Sequence, residues 1–259
     1  VNSSLYFLSG RRVVMQHFSY ESSVRMKDIF FMEPEHFSKY TDKEMLAYAL
    51  GATLYMPAIK PNIAMDIVNR KYKELTSLVI DLEDSVGDCV LAEAEEKLGE
   101  QLSILSEYLQ NHKISIEDLP LIFIRVRDPI QLRRIAKANE KHLNILTGFV
   151  FPKFHLENGR EFLSILSDLN KNNKLYGMPI LESHEIIYKE ARIEGLLKIK
   201  ALLDSHKDLI LNVRMGATDF CGLFGIRRRV DTTIYDVSVI RDCITDIINL
   251  FTRLDDEYV

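Results

Sequence analysis

From Thr41 onward, short apolar runs alternate with longer stretches whose apolar residues recur every three or four positions. The short runs fall at 53–56, 77–82, 121–126, 148–151, 178–181 and 209–215. A run that is apolar throughout suits a strand buried on both faces, as in a parallel sheet covered by helices. The longer stretches predict helices over 42–50, 61–75, 90–109, 129–142, 158–169, 184–204 and 235–253. In the third of these, Leu91, Ala94, Leu98, Leu102, Leu105 and Leu109 form one stripe; in the last, Val237, Ile240, Ile244, Ile247 and Phe251 do the same. Thr41-Asp42-Lys43-Glu44 fits a capping box at the first helix. Strand–helix alternation of this kind calls for parallel strands joined by right-handed crossovers.

Residues 1–40 show no clean period and read as an N-terminal extension; 41–259, with no Gly-rich linker, read as one domain. Six βα units suit either an open doubly wound sheet or an incomplete barrel. The first strand lacks the GxGxxG turn of a dinucleotide fold, which leaves an α/β TIM (β/α)8-type barrel two units short. The first residue is Val, so the chain reads as a fragment, with a seventh strand starting near Asp255-Asp256-Glu257-Tyr258-Val259.

Composition narrows the setting. A 259-residue chain that is 47% hydrophobic can bury one large core. A net charge of −5 argues against nucleic acid or an anionic membrane as partner. No stretch resembles a membrane span or a signal peptide. Cys89, Cys221 and Cys243 form neither a CxxC pair nor a metal-ligand spacing, which points to free thiols and a reducing, cytoplasmic setting.

The chemistry gathers where strands end. Asp81, Glu83 and Asp84 close the second run, and like charges so close need a cation, a proton or a basic ligand. Helix capping by Asp84, Ser85 or Asp88 is the plain alternative. The third run ends in Arg125 and Arg127, the fourth in Lys153, the fifth in Glu182, and the sixth leads to Arg214, Thr218 and Asp219. Each has an ordinary explanation alone: Arg125 can pair with Asp81, and Glu182 or His184 can start a helix. Five successive strands ending this way on the catalytic rim of a barrel weigh against chance. Glu182 and Asp219 suit a hard divalent cation that keeps some waters, and Arg125 offers a planar fork for a carboxylate. Metal plus arginine is what a 2-oxo acid needs. Lys153 as a Schiff-base lysine is a competing reading. The run Arg227-Arg228-Arg229 is expected either to be a solvated surface run, as most charge runs are, or to turn one or two arginines toward the rim.

The ordered series Leu54-Tyr55-Met56-Pro57, Ile80–Val86, Ile124-Arg125-Val126, Phe151-Pro152-Lys153, Pro179–Glu182 and Gly216-Ala217-Thr218-Asp219 resembles the citrate lyase beta-subunit and malyl-CoA lyase family of the HpcH/HpaI aldolase superfamily. The stretch from Arg214 to Asp236 resembles its "C–C bond lyase of the TIM-barrel fold" branch, associated with tellurite-resistance and stress-response gene clusters. The resemblance implies a metal-dependent carbon–carbon lyase acting on a small oxo or hydroxy acid or its CoA thioester. It implies Mg²⁺, or Mn²⁺, held by Glu182 and Asp219, and a substrate carboxylate on Arg125. Asp81, Asp84 and Lys153 would line the pocket, Glu83 would be the acid/base, and the oligomer would be a homotrimer or hexamer. A barrel of the stress cluster that binds metal and ligand without turnover is the alternative. Two departures stand out: Arg127 replaces a usual Asn, and Ala58 a usual Gly. The carboxylate that relatives take from a C-terminal segment has no counterpart before Val259.

Overall fold

A computed structural model of the chain describes residues 15–253 and Tyr258. In chain order, its elements are α1 Ser23–Ile29, α2 Lys43–Ala49, β1 Leu54–Pro57, α3 Ile63–Val68, β2 Ser77–Asp81, α4 Leu91–Gln110, β3 Leu121–Arg125 and α5 Pro129–Ala138. There follow β4 Gly148–Phe151, α6 Leu156–Leu169, β5 Tyr176–Leu181, α7 His184–Ile187, α8 Lys189–Asp204, β6 Arg214–Met215, α9 Ala217–Leu223 and α10 Ser238–Phe251. The six strands pair in sequence order and always in parallel, as crossover helices require. Among the described residues no pairing joins β1 to β6, so the barrel is incomplete.

Alternation along each strand divides the core in two. Leu78, Ile80, Ile122, Ile124, Phe149 and Phe151 point outward into the helical layer. Val79, Phe123, Val150, Met178 and Leu211 point to the concave side, where Leu46, Ala47 and Leu50 of the α2 segment, together with Phe37, cover them. Segment 37–50 thus fills a hollow that an open sheet would leave wet. Buried Lys39 ties it down: its ammonium donates to the carbonyls of Asn144, at 2.7 Å, and Leu146. Burial lowers that ammonium to about 8.

Several boundaries differ from the pattern-based reading, each for a local reason. The helix expected over 61–75 stops at Val68, followed by Arg70 in the left-handed region (φ 51). The one expected over 184–204 breaks at Tyr188, where the backbone is extended, and Arg192 donates to the Ile186 and Ile187 carbonyls at the break. The capping box at 41–44 does not form: Asp42 is the N-cap without a side-chain bond, and Thr41 Oγ1 accepts from the Ser38 N–H. The strand expected over 209–215 shrinks to two residues. Gly177 opposes Ile210, yet Ile180 opposes Arg214, so four steps on one strand match three on the other. That extra residue is a bulge, which ends regular pairing and re-aims the side chains beyond it. The expected start of a seventh strand at 255–257 lies outside the described residues.

Candidate active site

Asp81 and Arg125 occupy paired positions on β2 and β3, and both face the concave side at the carboxyl end. Arg125 Nε and Nη2 donate to the two Asp81 oxygens at 2.6 and 2.7 Å. Such a bidentate pair is geometrically specific. Its Nη1 is 3.0 Å from both Glu83 and Asp84, and its guanidinium lies 5.2 Å above the Tyr55 ring. Asp81, fully buried, also accepts from the Ser85 hydroxyl and from the N–H groups of Glu83 and Ser85. Burial alone would raise its carboxyl, but Arg125 and Ser85 outweigh burial and hold it below the ordinary carboxylate range. The acidic turn is therefore wound around Arg125, and the capping alternative does not describe it.

Glu83 also meets the Lys153 ammonium, which lies 3.7 Å from Asp84. Burial and the neighbouring Asp84 raise the Glu83 carboxyl against the pull of Lys153 and Arg125. Lys153 sits in the left-handed region (φ 47), so its backbone N–H turns to Glu182 Oε1 at 2.7 Å while its side chain reaches Glu83. Glu182 is 5% exposed and is pushed up to about 7 by burial, with the Asp219 charge adding to it. Gly216 makes room: a Cβ there would lie 2.1 Å from Glu182 Oε2, a contact no side chain allows. Asp219 enters from the first turn of α9. A cavity of about 970 Å³ opens on this side, lined by Lys153, Glu182, His184, Lys198, Thr218 and Asp219 among others.

Most of the chain matches the model of one known family. The family described as "C-C_Bond_Lyase of the TIM-Barrel fold" covers residues 44–259. The chain belongs to this family. Two solved structures share its fold at low identity. CitE from Mycobacterium tuberculosis, in complex with magnesium and acetate, matches at TM-score 0.50 and 16% identity, covering 83% of this chain and 73% of that one. The lead(II) complex of Haloferax volcanii malate synthase matches at 0.53 and 12%, covering 76% and 58%. RipC from Yersinia pestis matches at 0.45 and 17%, covering 76% and 69%. No curated protein matches the chain.

Within this lyase family fold, the rim residues singled out from sequence separate into two groups. Asp81, Glu83, Asp84, Arg125 and Lys153 form one continuous ion-pair network. Glu182 and Asp219 both line the cavity, and Glu182 packs against Gly216. Arg127 stands apart from both: it donates to the carbonyls of Leu82 and Val86 and pairs with Asp88, so it braces the turn that carries the acids. The three arginines 227–229 correct the rim reading and follow the surface one. All are exposed, none lines the cavity, and Arg228 and Arg229 bond locally to Thr232 and Asp231. Two contributors went unread. Tyr55 carries Arg125 on its ring, and Ala191, Glu194 and Lys198 of α8 form the far cavity wall. The three- and four-residue spacing of 191, 194 and 198 was the available signal for one face.

Proposed function

We propose that this chain is a divalent-cation-dependent carbon–carbon lyase, with Glu182 and Asp219 as the protein ligands of Mg²⁺ or Mn²⁺. The observation that carries this reading is Glu182 itself. It is a buried carboxylate facing a second one, raised to about 7, with one oxygen held by the Lys153 N–H and the other free beside Gly216. A cation relieves that arrangement. Among the described residues no group of three His, Cys, Asp or Glu side chains converges on one point. Two carboxylates, with waters and substrate filling the other positions, is how Mg²⁺ commonly binds. A CitE of similar fold carries magnesium and acetate.

When bound, the ion supplies Lewis-acid polarisation of the substrate oxygen. The chain's own groups do the rest. Nη1 of Arg125 takes the acid group of a small oxo or hydroxy acid, or of its thioester, as half-exposed Asp84 gives way. Glu83, raised by burial and in contact with Lys153, carries the proton. In cleavage it takes the hydroxyl proton as the carbon–carbon bond breaks; the bonding pair goes to the departing carbon, which then receives that proton. A Schiff-base role for Lys153 is disfavoured. Burial would lower its ammonium, but Glu83, Asp84 and Glu182 raise it, and a protonated amine is no nucleophile. A homo-oligomer and a cytoplasmic setting belong to the same proposal.

Calorimetric titration with Mg²⁺ should show one site that Glu182→Gln and Asp219→Asn each abolish. Turnover of 2-oxo and 3-hydroxy acids, with and without CoA, should require the metal. Mg²⁺ binding that survives both substitutions would overturn the assignment. Binding without turnover of any of these acids would favour the non-catalytic barrel.

A further inference from the structure

The rim holds a second guanidinium that the lyase reading leaves unused. Arg214 opposes Ile180 on the concave face, directly after the bulge in β6. Bulges next to sites commonly re-aim a side chain, and this one sends Arg214 across the open edge of the barrel toward β1. Its Nη1 lies 3.1 Å from the Tyr55 hydroxyl and its Nη2 3.1 Å from Thr53 Oγ1. Both acceptors are neutral. Its Nε is buried and has no hydrogen-bond partner. No carboxylate of the described residues forms an ion pair with it, although Arg125 nearby is paired with three.

The contrast decides what each arginine can do. An anion approaching Arg125 meets Asp81, Glu83 and Asp84, and only Nη1 is open to exchange. An anion approaching Arg214 meets two neutral hydroxyls and no competing carboxylate. The fork also carries five donors in one plane, matched to a carboxylate. Two residues further along the same face stands Gly216, against Glu182, so the two points are about 7 Å apart along the strand. Tyr55 links the arginines, with Arg125 over its ring and Arg214 at its hydroxyl.

We propose that Arg214, oriented by Tyr55 and Thr53, binds the second acid group of a dicarboxylate substrate. The lyase reading supplies only the site of the first group, so anion binding at Arg214 can be measured without metal. The test is calorimetry on the whole chain, with and without Mg²⁺, using malate (both enantiomers) as the dianion and lactate as the monoanion. Arg214→Met, which keeps the aliphatic stem, should weaken malate at least tenfold and lactate less than twofold. Arg214→Lys should restore part of the loss, since a charge remains but the fork does not. Equal weakening of both acids, unchanged malate affinity, or no malate binding by the parent chain would each overturn the proposal. Should Arg214→Met fail to fold, the Lys variant decides: malate affinity equal to the parent's removes the need for the fork. Should Mg²⁺ fail to bind while malate still discriminates in this way, the lyase reading falls and the anion site stands.

Discussion

The two sides of the rim are built differently. On the β2–β3 side, five-residue strands run in unbroken register, and the charged pair at their end is saturated: Asp81 holds both oxygens against Arg125, Ser85 and two backbone N–H groups. On the β5–β6 side, pairing is two residues long and bulged, and polar groups are left wanting. Ser183 Oγ, Asn212 Oδ1 and Arg214 Nε are buried without partners, and Glu182 is raised to about 7. Saturated polar networks rigidify a fold, whereas a carboxylate raised by burial at the edge of a cavity marks a candidate functional site. We read the first side as the frame of the site and the second as its receptor.

The harshest break of that comparison is Asp81→Ala. It leaves Arg125, 9% exposed, without its bidentate partner, and removal of one member of a buried pair costs about 3–5 kcal/mol. For a chain of this length that is a fall in Tm of roughly 10 °C. Thermal unfolding of the variant beside the parent reads it directly. A loss under about 1 kcal/mol, the range of surface pairs, would show that the frame side is no more structural than the other.

Glu182→Gln should act in the opposite direction. A carboxyl raised in the folded state binds its proton more tightly there than when unfolded, so it draws stability down as pH climbs from the ordinary carboxylate value to about 7. Metal-free parent protein should therefore lose on the order of 1–3 kcal/mol over that window relative to the Gln variant. Asp81 carries the reverse sign: lowered in the fold, its stabilisation is full above its unfolded value and is lost as pH falls through the lower one. Denaturant titrations from pH 2 to 8 separate the two: the Glu182 window lies between the ordinary carboxylate value and about 7, the Asp81 window below its ordinary value. A Gln variant no more stable than the parent at pH 8 would show that Glu182 is not under stress.

How far the sequence reveals these two sides depends on the same distinction. Uniform apolar runs ending in charge report strands and rim, because burial on both faces leaves no other pattern; hence the register of Asp81 with Arg125 could be anticipated. The bulge before Arg214 could not. Ile210-Leu211-Asn212-Val213 reads as one more strand, and the lost pairing is set by how β5 and β6 meet in space. Segment 15–40 was opaque for a similar reason: Phe37 and Lys39 are held by the concave face and by carbonyls of residues 144 and 146, more than a hundred positions away. Glu182 and Asp219 were visible as rim residues, but the raised Glu182 carboxyl comes from burial, with the Asp219 charge adding to it, and no spacing encodes that.

Gly216→Ala sharpens the receptor side with a smaller effect. A methyl group 2.1 Å from Glu182 Oε2 and 2.5 Å from its Cβ has to push the carboxylate aside. Overpacking of this kind costs about 1–3 kcal/mol, offset here by release of a strained ion. The stability change should be at the low end, while the calorimetric Mg²⁺ signal should vanish. Intact Mg²⁺ binding would place the cation elsewhere.

The smallest effect belongs to a region outside the comparison. The double substitution Arg227→Ala and Arg228→Ala removes two exposed charges that do not line the cavity. Arg228 has a backbone carbonyl, that of Thr232 at 2.8 Å, as its partner, and exposed contacts of this sort contribute little. Stability should stay within about 0.5 kcal/mol, and affinity for malate or lactate should be unchanged apart from a weak, salt-screened drift. A marked loss of malate affinity that persists at high salt would mean that the loop folds over the receptor side when ligand is bound. It would also transfer part of the anion recognition assigned to Arg214 onto this run.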